Sequence, residues 1–468
     1  MEVKQLYTNC LSEAAYFIAR EGEAAVIDPL RDVDTYVQMA EERGVQIKYI
    51  FETHFHADFV SGHIDLARKT GATIVYGPDT KAAFDPYVAK DGEEFKIGKL
   101  TIKAIHTPGH TLESTCYLLN DEKNEPYCIF TGDTLFVGDV GRPDLFSGNL
   151  SKEDLASMMY DSLTNKIKTL DDHILLYPAH GPGSSCGKNL GPDTSSTIGA
   201  QKATNYALQD MTREEFITAV TTGLNTPPVY FPLNAKLNRE GYDNIDDVYT
   251  KGMSPLSIAA FKEKVSDGAW ILDTRNATTF TEGFVPESIS IGLEGRFAEW
   301  AGTLLPLKQA LVLVTEAGKE KESITRLARV GIDNILGYLE GGFEAWKDAG
   351  ETIDLIIDIE PDELAMDIPH DERLAIIDVR KTTEFDAGHV KGAMNVPLDT
   401  LTDPLHIATL DDDEHNLYIH CAGGYRSVIA ASLIKRQGIH NLRNVLGGYG
   451  KIKNEKTIPL VLPELSAN

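Results

Sequence analysis

Thr53-His54-Phe55-His56-Ala57-Asp58-Phe59 follows directly on the apolar run Tyr49-Ile50-Phe51. Two histidines at i and i+2 with a carboxylate at i+4, set where a strand gives way to a loop, can begin a metal site. They cannot complete one, because a catalytic metal needs about three protein ligands and an open position. Downstream, Thr107-Pro108-Gly109-His110-Thr111, Phe130-Thr131-Gly132-Asp133-Thr134 and Tyr177-Pro178-Ala179-His180-Gly181 each present a further ligand after an apolar segment and beside Gly or Pro. Near the other end of the chain, Leu417-Tyr418-Ile419-His420-Cys421 runs into Ala422-Gly423-Gly424-Tyr425-Arg426 and then the apolar stretch Val428 to Arg436. A cysteine at the N-terminus of a helix, with an arginine in the same loop, is suited to act as a nucleophilic thiolate in an anion-binding cradle.

The elements that must hold these groups alternate. Ala14–Ile18 and Ala24–Ile27 read as strands around the turn Glu21-Gly22-Glu23, and Asp28-Pro29 closes the second. Val33 to Arg43 and Ser61 to Lys69 read as helices, and strands recur at Ala72–Tyr76, Leu100–Ile105, Ser114–Leu119 and Tyr127–Thr131. This predicts a layered α/β domain. Ile198–Gln209 and Thr212–Thr222 read as helices, and the Pro-containing stretch Asn225 to Gly252 is strand-poor.

The remainder is duplicated. Ile271–Ile291 laid over Ile376–Val396 gives seven identities in 21 positions at a constant offset of 105, and Glu340-Gly341-Gly342-Phe343 echoes Leu446-Gly447-Gly448-Tyr449. Two tandem α/β domains of about 100 residues follow. The first places Glu316 and Lys321 where the second has Cys421 and Arg426, so only the second can carry sulfur. Retention of Asp273 and Arg275 beside Asp378 and Arg380 assigns that pair a structural job. The predicted domains are 1–250, 251–353 and 354–468.

A chain of 468 residues, 42% hydrophobic, can bury several cores, and it has no long uninterrupted apolar segment or basic-then-apolar leader. Neither a membrane partner nor secretion is therefore expected, and the expected location is cytoplasmic. A formal charge of −27, from 71 acidic against 44 basic residues, argues against nucleic acid. Five scattered cysteines without a CxxC exclude a disulfide framework or a structural zinc site. Asp411-Asp412-Asp413-Glu414 reads as a solvated loop.

THFHADF, TPGHT, TGDTLF and PAHG in this order resemble the metallo-β-lactamase fold, an αββα sandwich over residues 1 to about 195. The glyoxalase II-type hydrolases of that fold carry HxHxDH and two metals. Here the last position is Phe59, which has no lone pair to donate. The pattern is similar to the persulfide dioxygenases, and the resemblance implies one Fe(II) per chain on His54, His110 and Asp133, with His56, Asp58 and His180 supporting them. It also places Arg142 near the thiol substrate, where a guanidinium would anchor a carboxylate; the alternative for this side chain is a surface ion pair with Asp139 or Asp144. Cys186, beside Lys188, is either a thiol of lowered pKa able to hold a persulfide or an inert loop thiol.

The last repeat resembles a rhodanese domain. Its CxxxxR loop has the length found in sulfur transferases, which assigns Cys421 and Arg426 to catalysis and Gly423, Gly424 and Tyr425 to substrate binding. The resemblance implies oxidation of a low-molecular-weight thiol persulfide by O2 to sulfite, coupled through Cys421 to sulfite, thiosulfate or persulfide chemistry in sulfide detoxification. A dinuclear zinc thioester hydrolase and a non-enzymatic sulfur-carrier or redox-sensing scaffold are the rival readings. The thiol carrier and the oligomeric state stay open, a homo-oligomer included.

Overall fold

A computed structural model of the chain describes residues 1–145, 149–408, 410 and 415–463, so the acidic run at 411–414 lies outside the described residues. The chain forms two compact units. One comprises Met1–Asp247 with Leu327–Gly331, and the other comprises Val248–Arg326 with the chain from Ile332 onward.

The first unit contains two six-stranded sheets. One runs in sequence order through β1 (Glu2–Thr8), β2 (Glu13–Arg20), β3 (Glu23–Ile27), β4 (Gln46–Phe51), β5 (Thr73–Tyr76) and β6 (Tyr87–Val88). The other is built from β7 (Glu94–Ile97), β8 (Leu100–His106), β9 (Thr115–Asn120), β10 (Pro126–Gly132), β11 (Leu175–Pro178) and β12 (Ser196–Thr197). Strand β2 shows why the sequence reads as an unbroken apolar run. Tyr16 and Ile18 enter the core between the sheets, whereas Ala15 and Phe17 enter a second core under the outer helices. Both faces are buried, so the usual alternation with polar residues is lost.

The first sheet is covered by helices Asp34–Arg43 and His63–Thr70, through Tyr36, Met39 and Leu66. The second is covered by Lys152–Ser162, Ile198–Thr204 and Arg213–Thr221, through Met159, Ile198 and Phe216. Four layers result, the αββα order expected. The strand-poor stretch contains helix Phe231–Glu240, which begins with a proline in its first turn, where a missing N–H costs nothing, and stops at Gly241. Among the described residues no helix is long and apolar enough to cross a membrane.

The second unit contains the two repeats as two five-stranded sheets with the same strand order. One runs 255–256, 335–339, 311–314, 270–273, 289–290, and the other runs 357–359, 442–445, 416–420, 374–378, 394–395. Every pairing within them is parallel. The duplication extends to side-chain geometry. Arg275 grips Asp273 and the Gly283 carbonyl with its Nη2 at 2.6 and 2.9 Å, and Arg380 grips Asp378 and the Gly388 carbonyl at 2.6 and 2.8 Å.

Candidate functional site

The ends of five strands in the first unit converge on one site. Asp28 follows β3, His54, His56 and Asp58 follow β4, His110 follows β8, Asp133 follows β10, and His180 follows β11. Gly132 lets Asp133 turn inward. It has φ +52°, and a Cβ there would lie 2.5 Å from the Thr53 hydroxyl oxygen, so no larger residue fits.

His54, His110 and Asp133 bring one donor atom each to within 4.8 Å of the others, all buried. Asp133 Oδ2 lies 3.8 Å from His54 Nε2 and 3.4 Å from His110 Nε2. The other ring nitrogens are committed elsewhere. His110 Nδ1 donates to the Arg142 carbonyl at 2.8 Å. The Thr53 hydroxyl donates to Asp28 Oδ2 at 2.9 Å and so accepts from His54 Nδ1 at 3.0 Å. Both Nε2 lone pairs are thereby aimed at the same space. Burial, followed by the neighbouring His56, His110 and His180, holds the His54 pKa well below the usual imidazole value, so this ring is neutral. Both Asp133 carboxylate oxygens are buried without a hydrogen-bond partner. Buried unpaired carboxylate oxygens opposite two imidazole nitrogens fit a bound cation.

The supporting residues form a layer behind this set. His56 Nε2 lies 3.1 Å from Asp28 Oδ1 and 3.7 Å from Glu52 Oε2. Burial opposes charge on His56, but Asp28, Glu52 and Asp58 together outweigh it and raise its pKa to about 10. His180 donates Nδ1–H to the Ser12 carbonyl at 3.1 Å and turns Nε2 to Asp58 Oδ2 at 3.4 Å and Asp133 Oδ1 at 3.5 Å. Phe59 is fully buried with its ring 4.4 Å from that of His56.

Two placements differ from the roles the sequence suggested. Arg142 is buried and is not among the residues lining the cavity in front of His110. Its guanidinium grips Asp144 at 2.6 and 2.8 Å and donates to the carbonyl of Asn225 at 2.5 Å, while its own carbonyl orients His110. Cys186 is 1% exposed, and burial together with Asp58 and Asp133 pushes its thiol pKa well up, against the lowered-pKa alternative of the two open for it. The Lys188 amino group instead donates to the Ala219 carbonyl. Cys186 does come close to Asp133 and His180, with donor atoms within 4.8 Å.

A cavity of about 350 Å³ opens in front of His110, lined by Phe55, Leu112, Leu145, Glu113, Lys81 and Arg239 among others. Lys81 and Arg239 are cations at this mouth that sequence reasoning missed, as it missed Asn238. Nδ2 of Asn238 donates to the carbonyls of His56 and Phe59 at 2.7 and 2.8 Å, and its Oδ1 accepts from Ser61 N at 2.8 Å. Asp28 was legible in principle, since it follows an apolar strand just as Asp133 does.

In the second unit the Gly424 N–H points at Cys421 Sγ, 3.0 Å away, from the start of helix Tyr425–Arg436. Arg426 is held by Glu384 through two hydrogen bonds of 2.7 and 2.8 Å. The Gly447-Gly448 turn closes on the cradle from behind. A Cβ on Gly448 would lie 2.2 Å from the Cys421 carbonyl oxygen, which accepts from Tyr449 N at 2.6 Å. Glu316, the counterpart of Cys421, is exposed in the first repeat.

Residues 8–180 match the model of the metallo-beta-lactamase superfamily, and residues 257–349 and 360–455 match the rhodanese-like domain. A hydroxyacylglutathione hydrolase of Francisella philomiragia is 33% identical over 183 residues, which are 38% of this chain and 68% of that protein. A probable hydroxyacylglutathione hydrolase of Schizosaccharomyces pombe is 31% identical over 33% of this chain and 58% of its own length. The crystal structure of a metallo-beta-lactamase from Staphylococcus aureus superimposes with a TM-score of 0.64 at 32% identity, covering 73% of this chain and 98% of that one.

Proposed function

The chain belongs to the metallo-beta-lactamase superfamily and carries two rhodanese-like domains in its second half, and from that premise we propose that it is a persulfide dioxygenase coupled to sulfur transfer. The reaction is RSSH + O2 + H2O to RSH, sulfite and two protons. One observation carries this reading. Phe59 stands where a second-metal histidine would be, and its ring is packed against His56, leaving His54, His110 and Asp133 as two imidazoles and one carboxylate around one space. A single Fe(II) held by those three residues would supply O2 chemistry and a ligand position for a sulfane sulfur.

The protein's own groups do the rest. Thr53 and the Arg142 carbonyl fix the two imidazole tautomers. His180 Nε2 lies 3.4 Å from Asp58 and 3.5 Å from Asp133, and would orient those carboxylates beside the donor set. Lys81 and Arg239 meet an anionic tail at the cavity mouth, and the apolar wall of Phe55, Leu112 and Leu145 shields the thiol from water. At Cys421, the thiolate attacks the outer sulfur of thiosulfate or of a thiol persulfide, the donor's S–S bond breaks, sulfite or the thiolate leaves, and Cys421 becomes a cysteine persulfide. An acceptor thiolate then attacks the outer sulfur, the Cys421 S–S bond breaks, and Cys421 leaves as thiolate. The first repeat, with Glu316 in place of the cysteine, carries no sulfur.

A second reading has specific support. Asp58, Asp133, His180 and Cys186 gather beside the first donor set, and the relatives above are named as hydroxyacylglutathione hydrolases. This favours a dinuclear thioester hydrolase. Metal analysis of anaerobically purified protein separates the two readings, with one iron per chain expected for the dioxygenase and two zinc ions for the hydrolase. Oxygen uptake with a thiol persulfide is the direct test. Iron-loaded protein that consumes no oxygen with any persulfide would overturn the proposal.

A further inference from the structure

The cysteine-free repeat does more than fill space. Helix Tyr425–Arg436, which starts at the Cys421 cradle, is buried at every position from Ser427 to Lys435, because one side lies on its own sheet and the other on the first repeat. The Ser290 N–H donates to Ser432 Oγ at 3.0 Å, Tyr425 Oη donates to the Gly292 carbonyl at 2.8 Å, and Lys435 meets Asp354 at 2.7 Å. Between the two repeats lies a cavity of about 460 Å³. The second repeat lines it with Gly423, Gly424 and Tyr425 of the cradle and with Asn444, and the first repeat with Thr281 and Glu294.

Two carboxylates, Asp358 and Glu294, and the amide of Asn444 line this cavity. Asp358 takes hydrogen bonds from Asn444 Nδ2 at 2.7 Å and from the Thr281 hydroxyl at 2.6 Å, one from each repeat. A carboxylate only accepts, so the Asn444 amide is fixed with its NH2 toward Asp358. Its Oδ1 is then left buried without a partner, in a residue 2% exposed. Glu294, anchored through Oε2 by Asn276 Nδ2 at 2.5 Å, adds a second carboxylate. Lys451, the one cation among the lining residues, is paired with Glu360 at 3.2 Å. A buried amide oxygen without a donor, on a residue lining a cavity that two carboxylates also line, is satisfied by a ligand that brings N–H groups and positive charge.

We infer that this inter-repeat cavity binds the ammonium end of a small aminothiol, the acceptor or donor of the Cys421 sulfur, with Glu294 of the first repeat and Asn444 of the second as its recognition groups. The inference rests on the sulfur-transfer reading of Cys421 and adds to it a ligand class and a role for the cysteine-free repeat. The thiol end of such a ligand lies toward Gly423 and Gly424, and the transfer itself is the thiolate exchange written above, with no net oxidation.

Sulfur transfer from thiosulfate by the full-length chain tests it, with 2-aminoethanethiol, 2-mercaptoethanol and mercaptoacetate as acceptors. Their concentrations are expressed as thiolate, at about 0.2 M salt so that the overall negative field is screened. The expected order of kcat/KM is cationic, neutral, anionic, with KM lower by about tenfold for the amine than for the neutral thiol, the ratio of one good charge-assisted contact. In Glu294→Lys, a change at an exposed position, the order reverses. Equal kcat/KM for the three thiols, or an order unchanged in Glu294→Lys, overturns the inference. Cyanide as acceptor isolates the underlying reading. Thiocyanate formation without thiol selectivity sinks the inference alone, and absence of thiocyanate sinks the sulfur-transfer reading with it.

Discussion

Asn238 and Phe59, 179 residues apart in the chain, are joined by a 2.8 Å hydrogen bond from the Asn238 amide to the Phe59 carbonyl, and the same NH2 group reaches the His56 carbonyl at 2.7 Å. The ligand loop is thus held by a helix that contributes no candidate ligand. Replacing Asn238 by Ala leaves two buried carbonyls without donors, at a cost of about 1–3 kcal/mol. The expected result is a lower thermal midpoint and reduced metal content in the same preparation. Unchanged metal content and midpoint would show that the loop holds itself.

Phe59→His restores a donor at the position that distinguishes a one-metal from a two-metal site. The expected outcome is a rise in total metal stoichiometry from one toward two per chain, with loss of oxygen uptake. A stoichiometry that stays at one would show that packing around His56, and not ligand identity, limits the second site.

The buried His56 couples stability to pH in chelator-treated protein. Its folded pKa, raised to about 10 despite burial by Asp28, Glu52 and Asp58, lies above the ordinary imidazole value. Folding therefore binds a proton, and the stabilisation is full below about pH 6.5 and is lost as pH rises through about 10. Thermal midpoints between pH 6.5 and 10 should fall, and His56→Gln should flatten that slope. An equal slope in the variant would assign the titration to another group.

Cys421→Ser should abolish sulfur transfer and leave oxygen uptake with a thiol persulfide unchanged, measured on one preparation by thiocyanate formation and an oxygen electrode. Equal loss of both activities would contradict two separate chemistries.

Glu384→Gln should weaken sulfur transfer by about tenfold or more without lowering the metal content, because Arg426 loses the charged partner of a bidentate pair and its orientation in the cradle. Thiocyanate assays, with circular dichroism as the folding control, check it. Unaltered transfer would mean that the loop backbone alone sets the cradle.

Much of the site could be read from the order of residues. His54, His110, Asp133 and His180 each follow an apolar segment, and the last three also sit beside Gly or Pro, a local pattern that survives folding because strand ends are where side chains turn inward from a sheet. The repeat was legible for the same reason. Asp273 with Arg275 and Asp378 with Arg380 bond two residues apart, so their geometry is encoded locally.

What the sequence could not decide depends on partners far along the chain. For Arg142 the sequence offered a substrate anchor or an ion pair with a nearby aspartate; Asp144 and the Asn225 carbonyl hold its guanidinium, and the second of these is 83 residues away. For Cys186 it offered an activated or an inert thiol, and burial beside Asp58 and Asp133 pushes the pKa up. Asn238 and the inter-repeat cavity had no local signature. Periodicity and spacing report which residues face a core or end a strand, and so marked the candidate ligands at the strand ends, the duplication and the loop around Cys421. Which distant carbonyl, carboxylate or wall meets each of them is set by tertiary packing, and that decided the charge and access of every group around the two candidate centres.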